Sequence, residues 1–328
     1  MDNARRADSW TTRRCEQGCE PLTMAEAALA SQTKLWTPRE ARARIDWVGY
    51  VFIGFFTVPF LIFNVGPVLF GIYVGFTEWG IIGDPTWVGW QNFHTAFADD
   101  WFWVAFKNVF LYALIIVPGV TILGLGFALF VDQGWPLSTV ARTILFTPNV
   151  VSATVIGLVW VWVLDTQFGV VNHYLGFLGI PPIPWLTSVH WSLIGVSIAS
   201  IWWDMGLAFV LFLAALQDVP LDLYEAAHLD GASRAQRFRH VTLPHIRPTV
   251  SMVVTLQLIA TMRIFSQVYV MTNGGPAGGS LSVIYYVYQM GVVQFLLGLA
   301  SAVSTMLFLA ILVVTAIQRF ILRESTRG

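Results

Sequence analysis

The chain has 328 residues, of which 56% are hydrophobic and only 11% are charged, and its formal net charge is −1. Soluble domains carry about 25% charged residues, so this composition, with a mean hydropathy of +0.66, excludes a water-soluble protein and predicts a membrane protein. A near-neutral charge without a basic stripe also argues against a nucleic-acid partner.

The first segment, residues 1–46, is polar and rich in Lys and Arg. It lacks the apolar core of a cleavable signal peptide and is predicted to be a mobile cytoplasmic tail. The chain's two cysteines, Cys15 and Cys19, lie in this tail. A metal site usually needs four ligands, and the sequence nearby offers no others, so we interpret them as two reduced thiols.

Six apolar runs follow, each about as long as a helix that crosses a bilayer. They predict an all-α membrane protein with six transmembrane helices, and residues 318–328 as a C-terminal tail. The predicted spans are 47–76, 105–131, 143–164, 191–216, 248–272 and 291–317.

The positions of Lys and Arg predict the orientation. With the N-terminus in the cytoplasm, every basic residue except Lys107 and Arg263 lies on the cytoplasmic side or in a tail. The predicted outer loops hold acidic residues and tryptophans instead. Both termini are therefore expected in the cytoplasm.

One polar segment lies between spans four and five, at residues 217–247. It is longer than an ordinary loop and contains signals for two helix caps. Its pattern predicts two short helices on the cytoplasmic side. Asp218 is expected to cap the first helix, with Pro220 in its first turn. Gly231 supplies the left-handed residue that ends this helix.

The second helix of the segment begins with a capping box, Ser233 with Gln236. Pro244 and Pro248 are predicted to stop it and redirect the chain into span five. A capped pair of amphipathic helices is typical of a docking element, for which Leu229 offers an apolar anchor.

This segment resembles the EAA loop of ABC importer permeases. In that family the loop is the coupling helix that sits in a cleft of the ATP-hydrolysing subunit, which implies the same role here. The residues that carry the resemblance are Glu225, Ala226, Ala227, Asp230, Gly231, Ala232, Ser233, Phe238, Leu243 and Pro244.

Two further stretches are similar to the carbohydrate-uptake branch of that family: 87–93, and Phe265 together with 268–276. The resemblance covers about 47–317 and implies a type I permease domain that carries a sugar or polyol across a bacterial cytoplasmic membrane. It implies a heterodimer with a second homologous permease subunit, two ATP-binding subunits, and an extracytoplasmic solute-binding protein or lipoprotein.

The chain itself is not predicted to be an enzyme or to bind a cofactor. A phosphate-binding loop needs a lysine that follows a glycine-rich turn, and neither Lys34 nor Lys107 follows a glycine. ATP hydrolysis is therefore expected in separate subunits. No motif of a membrane hydrolase is present either.

Polar side chains deep in a membrane are costly and are candidates for a functional site. For Arg263 and Asp204, a structural tie between helices and a contact with cargo remain equal alternatives. Asn64 and Asn149 are expected to make interhelical hydrogen bonds. The candidate translocation path consists of Asp204, Trp203, Arg263, Ser266, Gln267 and Tyr269.

Two alternatives to a sugar importer stay open at this point. Similar permeases carry glycerol phosphate, and Arg263 would suit such an anion. A passive channel or facilitator would also have six spans, but it would not need a capped docking segment.

Overall fold

The computed structural model describes residues 47–80, 83–133 and 138–324. The predicted N-terminal tail with Cys15 and Cys19 lies outside these ranges, as do residues 325–328. The chain divides into two compact units, Met1–Asn64 and Val65–Gly328.

The described part of the first unit is helical: α1, Trp47–Phe60, continues into a π-helical segment, Leu61–Val65. Its phenylalanines, such as Phe52 and Phe55, are exposed. A helix that presents apolar side chains in this way is suited to a lipid environment.

The second unit is also helical in its described ranges, apart from one short two-stranded ribbon. Its strands β1 and β2 pair antiparallel, with Thr77 opposite Trp87. The elements are α2 Gly66–Gly75, β1 Thr77–Glu78, β2 Thr86–Trp87, α3 Gln91–Ala98, α4 Asp100–Asp132, α5 Ser138–Val150, α6 Ala153–Val163, α7 Val170–Phe177, α8 Val189–Gln217, α9 Leu221–Leu229, α10 Arg234–Arg237, a π-helical segment Phe238–Thr242, α11 Leu243–Met262, α12 Ser266–Met271, α13 Val283–Tyr288, a π-helical segment Gln289–Val293 and α14 Leu297–Glu324.

Four helical runs in the described ranges are long and apolar enough to cross a membrane: Gly49–Gly75, α4, α8 and Leu297–Ile321. Helices α5 and α6 pass the same test together, but they meet at a bend of 103°. The first, second and fourth predicted spans thus coincide with long apolar helices, and the sixth overlaps one that begins at Leu297.

The structure differs from the prediction in the other two runs. The predicted span 143–164 bends between α5 and α6, and the predicted span 248–272 is interrupted between α11 and α12. Hydropathy depends on the apolar content of a segment and not on the direction of its backbone. A prediction made from hydropathy therefore could not detect either break. The last helix also continues to Glu324, so most of the predicted C-terminal tail is helical.

Helices α4 and α8 pack closely along their length and form the centre of the second unit. Tyr112, Phe209 and Phe212 are fully buried between the packed helices. At Gly124 the two helices approach so closely that an added Cβ atom would lie 2.9 Å from the Cβ of Ala208. Small residues at a crossing point are what allow membrane helices this approach.

The loop between α12 and α13 is held from inside by side chains of α4. Asn108 Nδ2 donates hydrogen bonds to the carbonyls of Gly278 (2.8 Å) and Leu281 (3.0 Å), and Tyr112 Oη donates to the carbonyl of Ser280 (2.9 Å). These bonds satisfy loop carbonyls that would otherwise be buried without partners. The predicted 268–276 stretch therefore leads into a fixed loop.

We expect Gly124→Val to lower the Tm of the purified protein in detergent, because there is no space for a side chain between α4 and α8. Overpacking of this kind costs about 1–3 kcal/mol. Gly126→Val, on the same helix, is the matched control, since nothing lies within 4 Å of a Cβ there. Equal Tm values for the two variants would contradict the close packing of α4 on α8.

Candidate functional site

The first helix of the coupling segment, α9, ends as the sequence predicts. Gly231 has a φ of +75°. Its N–H donates to the carbonyl of His228 (3.0 Å), and the N–H of Ala232 donates to the carbonyl of Ala227 (2.9 Å). These are the two bonds of a Schellman motif, and the left-handed backbone favours glycine. The sharp turn after α9 therefore depends on Gly231.

The second helix, α10, starts with the predicted capping box. The N–H of Ser233 donates to Gln236 Oε1 (2.8 Å), and the N–H of Gln236 donates to Ser233 Oγ (3.3 Å). The two residues thereby satisfy each other's free backbone donors.

The predicted stop at Pro244 and Pro248 is wrong. Helix α10 continues through the π-helical segment Phe238–Thr242 directly into α11, and both prolines lie within α11. In the π-helical segment the N–H of Leu243 donates to the carbonyl of Phe238, five residues earlier. This places Pro244 in the first turn of a new α-helix, where a missing N–H breaks no helical hydrogen bond.

The predicted cap at Asp218 is also wrong. This residue is the C-cap of α8, and Pro220 stands at the N-cap of α9 without a side-chain capping bond. The carboxylate of Asp218 instead lies 4.0 Å from His245 Nε2, at the base of the coupling segment. Asp218 is separated from the first residue of α9 by Val219 and Pro220. It therefore lies too far before the first turn of that helix to cap it.

The coupling segment presents its helices to the surroundings, since neither α9 nor α10 contains a fully buried residue. Leu229, the last residue of α9, is 87% exposed. Among the residues that carry the resemblance, Glu225, Ala226, Asp230, Gly231, Ser233 and Pro244 are exposed, and Ala227, Ala232, Phe238 and Leu243 are half-buried. An exposed leucine on a rigid turn suits insertion into a pocket of another protein.

A cavity of about 200 Å³ lies between α4, α6, α8, α11 and α12. It contains five of the six residues predicted for the translocation path. Its lining consists of Ile116, Ala153, Ser200, Trp203, Asp204, Ala260, Thr261, Arg263, Ile264, Phe265, Ser266 and Gln267. Trp203 is the central residue of α8, so the cavity lies near the middle of that long helix.

The bend between α5 and α6 borders this cavity and is held by α8. Trp203 Nε1 donates a hydrogen bond of 3.0 Å to the carbonyl of Val151, which lies at the bend. Asn149 Nδ2 donates to the carbonyl of Trp203 at 3.4 Å. The interhelical hydrogen bond predicted for Asn149 is therefore confirmed, whereas the side chain of Asn64 is exposed.

The break between α11 and α12 borders the cavity from the other side. The backbone leaves the helical conformation at Arg263 and Phe265. Ser282 Oγ donates a hydrogen bond of 2.7 Å to the carbonyl of Ile264, which the break has freed from its helix. Broken membrane helices are tolerated where neighbouring side chains satisfy the freed groups and where the backbone lines a cavity.

The cavity brings Asp204 and Arg263 together without pairing them. Both line it, but no ion pair within 4.0 Å joins them in the described ranges. The structural tie considered for this pair is thus absent from this conformation. The hydroxyl of Thr261 is buried without a hydrogen-bond partner and belongs to the same lining. Its oxygen has almost no accessible surface, so in this conformation it does not offer a hydrogen bond to a solute in the cavity.

Tyr269, the sixth predicted path residue, lies beside the cavity rather than in its lining. Its ring stacks on Phe265, with ring centroids 5.5 Å apart. Tyr285 and Tyr288 complete a four-ring aromatic cluster. The sequence reasoning missed both tyrosines, although they form an aromatic run, 285–288, that could have suggested them.

The sequence reasoning also missed Ser200 and Thr261. Ser200 precedes Asp204 by four residues on α8, so helical spacing places both on one face. That spacing was the signal available for Ser200. Thr261 had no such signal, because its position depends on the break that follows it.

Comparison with known families gives one match, and it contains both the coupling segment and most of the cavity lining. The family described as "Binding-protein-dependent transport system inner membrane component" matches residues 120–326. This range includes the whole coupling segment and all the cavity-lining residues except Ile116.

Several named permeases are similar over most of the chain. The diacetylchitobiose uptake system permease protein NgcF of Streptomyces coelicolor is 34% identical over 89% of this chain and 87% of the relative. The sulfoquinovosyl glycerol transport system permease protein SmoG of Agrobacterium fabrum is 32% identical over 79% and 85%, respectively. The trehalose/maltose transport system permease protein MalF of Thermococcus litoralis is 30% identical over 82% and 92%.

A solved structure shows the fold. A chain of a bacterial ABC transporter involved in the import of the acidic polysaccharide alginate superimposes with a TM-score of 0.74 and 24% identity. The superposition covers 85% of the present chain and 96% of the other. The fold is thus that of an ABC importer permease, as the sequence predicts.

We expect Trp203→Phe to destabilise the bend between α5 and α6, because it leaves the carbonyl of Val151 without its donor. An unsatisfied buried group costs about 1–3 kcal/mol, which should appear as a lower Tm in detergent. Trp202→Phe is the matched control, since the neighbouring indole packs edge-on against Trp160 in an apolar gap. The interpretation fails if Trp203→Phe is as stable as the wild type.

Proposed function

Because the chain belongs to the family of binding-protein-dependent transport system inner membrane components, we propose that it is the permease subunit of an ATP-driven importer for a sugar or related polyol. It is a multi-pass membrane protein with the fold of an ABC importer permease. We place it in the cytoplasmic membrane of a bacterium, with both termini inside.

The observation that carries the proposal is that one continuous helical path, α10 to α11, joins an exposed docking segment to a polar cavity. A passive channel needs a cavity but has no use for a docking segment. An importer driven by ATP needs both, since hydrolysis on one side of the membrane must change the cavity.

This chain has no phosphate-binding loop of its own, so ATP must be bound by other subunits. The docking segment is a suitable contact for them, and we propose two such ATP-binding subunits as partners. The chain would then neither hydrolyse ATP nor bind a cofactor. We further propose a second homologous permease as the other half of a heterodimer. An extracytoplasmic binding protein or lipoprotein would deliver the cargo, as the family's description implies.

The chemistry of the cavity suits a carbohydrate. Sugars present hydroxyl groups that donate and accept hydrogen bonds, and they also have apolar ring faces. Asp204, Arg263 and Ser266 line the cavity with polar side chains that are not buried, and Trp203 and Phe265 offer aromatic faces. The sugar relatives described above support the same class of cargo.

One observation favours a second candidate, an anionic polyol ester such as glycerol phosphate. Arg263 is exposed to the cavity and has no ion-pair partner within 4.0 Å in the described ranges. A guanidinium is well suited to phosphate.

The proposal is tested by co-expressing the chain with the permease, ATPase and binding-protein genes that neighbour it, and reconstituting the complex in proteoliposomes. Uptake of radiolabelled trehalose, maltose, diacetylchitobiose and glycerol 3-phosphate is measured with and without ATP. We expect ATP-dependent uptake of a neutral sugar that requires the binding protein. Uptake without ATP would identify a facilitator, and uptake of glycerol 3-phosphate alone would favour the second candidate.

Arg263 provides a sharper test of the cavity. We expect Arg263→Ala to leave assembly intact, because no ion pair is broken, but to lower uptake about tenfold or more by removing a charged hydrogen-bond donor. Arg263→Gln should retain more uptake of a neutral sugar than Arg263→Ala. Restoration by Arg263→Lys alone would indicate an anionic cargo. Unchanged uptake in all three variants would remove Arg263 from the path.

Leu229 provides the corresponding test of docking. We expect Leu229→Ser to weaken retention of the ATPase subunits roughly 10–100-fold, since burying a leucine contributes about 1.5–3 kcal/mol. Leu178→Ser is the matched control, because Leu178 is 75% exposed but lies outside the coupling segment. Retention is measured by co-purification over a range of subunit concentrations. Equal retention by the two variants would contradict the docking role.

A further inference from the structure

The exposed helix of the coupling segment, α9, is tied to the rest of the chain by one of its side chains. The hydroxyl oxygens of Tyr224 and Thr242 lie 2.8 Å apart, within hydrogen-bonding distance. Thr242 is only 4% exposed and belongs to the π-helical segment Phe238–Thr242. Tyr224 also packs against the hydrophobic core, whereas α9 has no fully buried residue.

Two other features of the coupling segment fasten α9 less firmly. Asp218 and His245 meet at 4.0 Å, but the side chain of Asp218 is 88% exposed, so water screens their attraction. The turn at Gly231 sets the path of the chain, yet open space surrounds it. A partly buried hydroxyl pair competes less with water and fixes the direction of both side chains. Val219, which is buried just before α9, holds the start of the helix, and Tyr224 holds its body, so we expect the tilt of α9 against α11 to depend on Tyr224.

Helix α11 leads from this tie to the cavity. Its first residue, Leu243, follows Thr242 directly. Its last turn contains Thr261, which lines the cavity, and Arg263 follows immediately. A helix of 20 residues spans about 30 Å, so α11 joins the two sites in one continuous element.

We propose that Tyr224 is a positioning residue for energy coupling. Its hydrogen bond to Thr242 passes a displacement of the docking helix α9 to α11, and α11 passes it to the wall of the cavity. This inference rests on the proposed function and deepens it. Tyr224 is distinct from the residues that offer the docking face, because its hydroxyl points back into the protein.

The experiment uses the complete complex in proteoliposomes, with Tyr224→Phe, Thr242→Val and the double variant. Phenylalanine and valine keep the shape of the side chains and remove only the hydroxyls. The binding protein is saturated with whichever of trehalose, maltose or diacetylchitobiose stimulates the wild-type ATPase most. We measure retention of the ATPase subunits, the ratio of stimulated to unstimulated ATP hydrolysis, and sugar uptake per ATP. Tyr174→Phe, which changes an exposed tyrosine on α7, is the matched control.

We expect the ATPase subunits to stay bound while the stimulation ratio and the uptake per ATP each fall at least threefold. The double variant should be no worse than either single variant, because all three lose the same bond. Thr242→Ser keeps a hydroxyl at this position and should restore both ratios. A structural defect alone would lower the amount of complex without changing uptake per ATP.

Three outcomes would overturn the proposal. The first is a stimulation ratio and an uptake per ATP equal to those of Tyr174→Phe. The second is additive losses in the double variant, which would mean that the two residues act separately. The third is loss of the ATPase subunits, which would make Tyr224 part of the docking face. If the wild-type complex itself shows no stimulated hydrolysis and no ATP-dependent uptake, the proposed function fails, whatever the variants do.

Discussion

Inside a bilayer every backbone N–H and C=O group needs a partner from the protein, because the hydrocarbon offers none. The two interrupted spans of this chain meet that requirement with side chains from neighbouring elements. Trp203 satisfies the carbonyl of Val151, and Ser282 satisfies that of Ile264. Both bonds lie beside the polar cavity. The cavity exists because α8 and the start of α13 supply the donors that allow two helices to break at this depth.

The same helix, α11, belongs to both halves of the mechanism. It receives the coupling segment at Leu243 and ends at Met262, beside the cavity. A transporter needs its energy source and its pathway to share one mechanical element, and here that element is continuous in sequence. Helices α4 and α8 are in close contact, because the small residues Gly124 and Ala208 leave little free space between them. This packed pair is the fixed part of the structure relative to which α11 can move.

Local features of the site were predictable, and those that depend on tertiary structure were not. The turn at Gly231 and the capping box of Ser233 with Gln236 follow from a few neighbouring residues, and the family resemblance read from this segment is confirmed. The breaks at Val151 and Ile264 depend on donors more than fifteen residues away. The predicted helix end at Pro244 was wrong for a related reason. The π-helical segment before Pro244 accommodates this residue, which would otherwise end the helix.

That π-helical segment, Phe238–Thr242, also affects how α10 is joined to α11. A π-turn closes one residue later than an α-turn, so the segment is equivalent to one extra residue inserted between α10 and α11. Each residue of an α-helix rotates the chain by about 100° around its axis. A π-turn spreads roughly the rotation of an α-turn over one more residue, so the segment takes up the extra residue without turning α10 around the axis of α11. The docking face therefore points in the direction that a regular helix one residue shorter would give it, and the wide turn lets the segment carry an additional side chain without changing that direction.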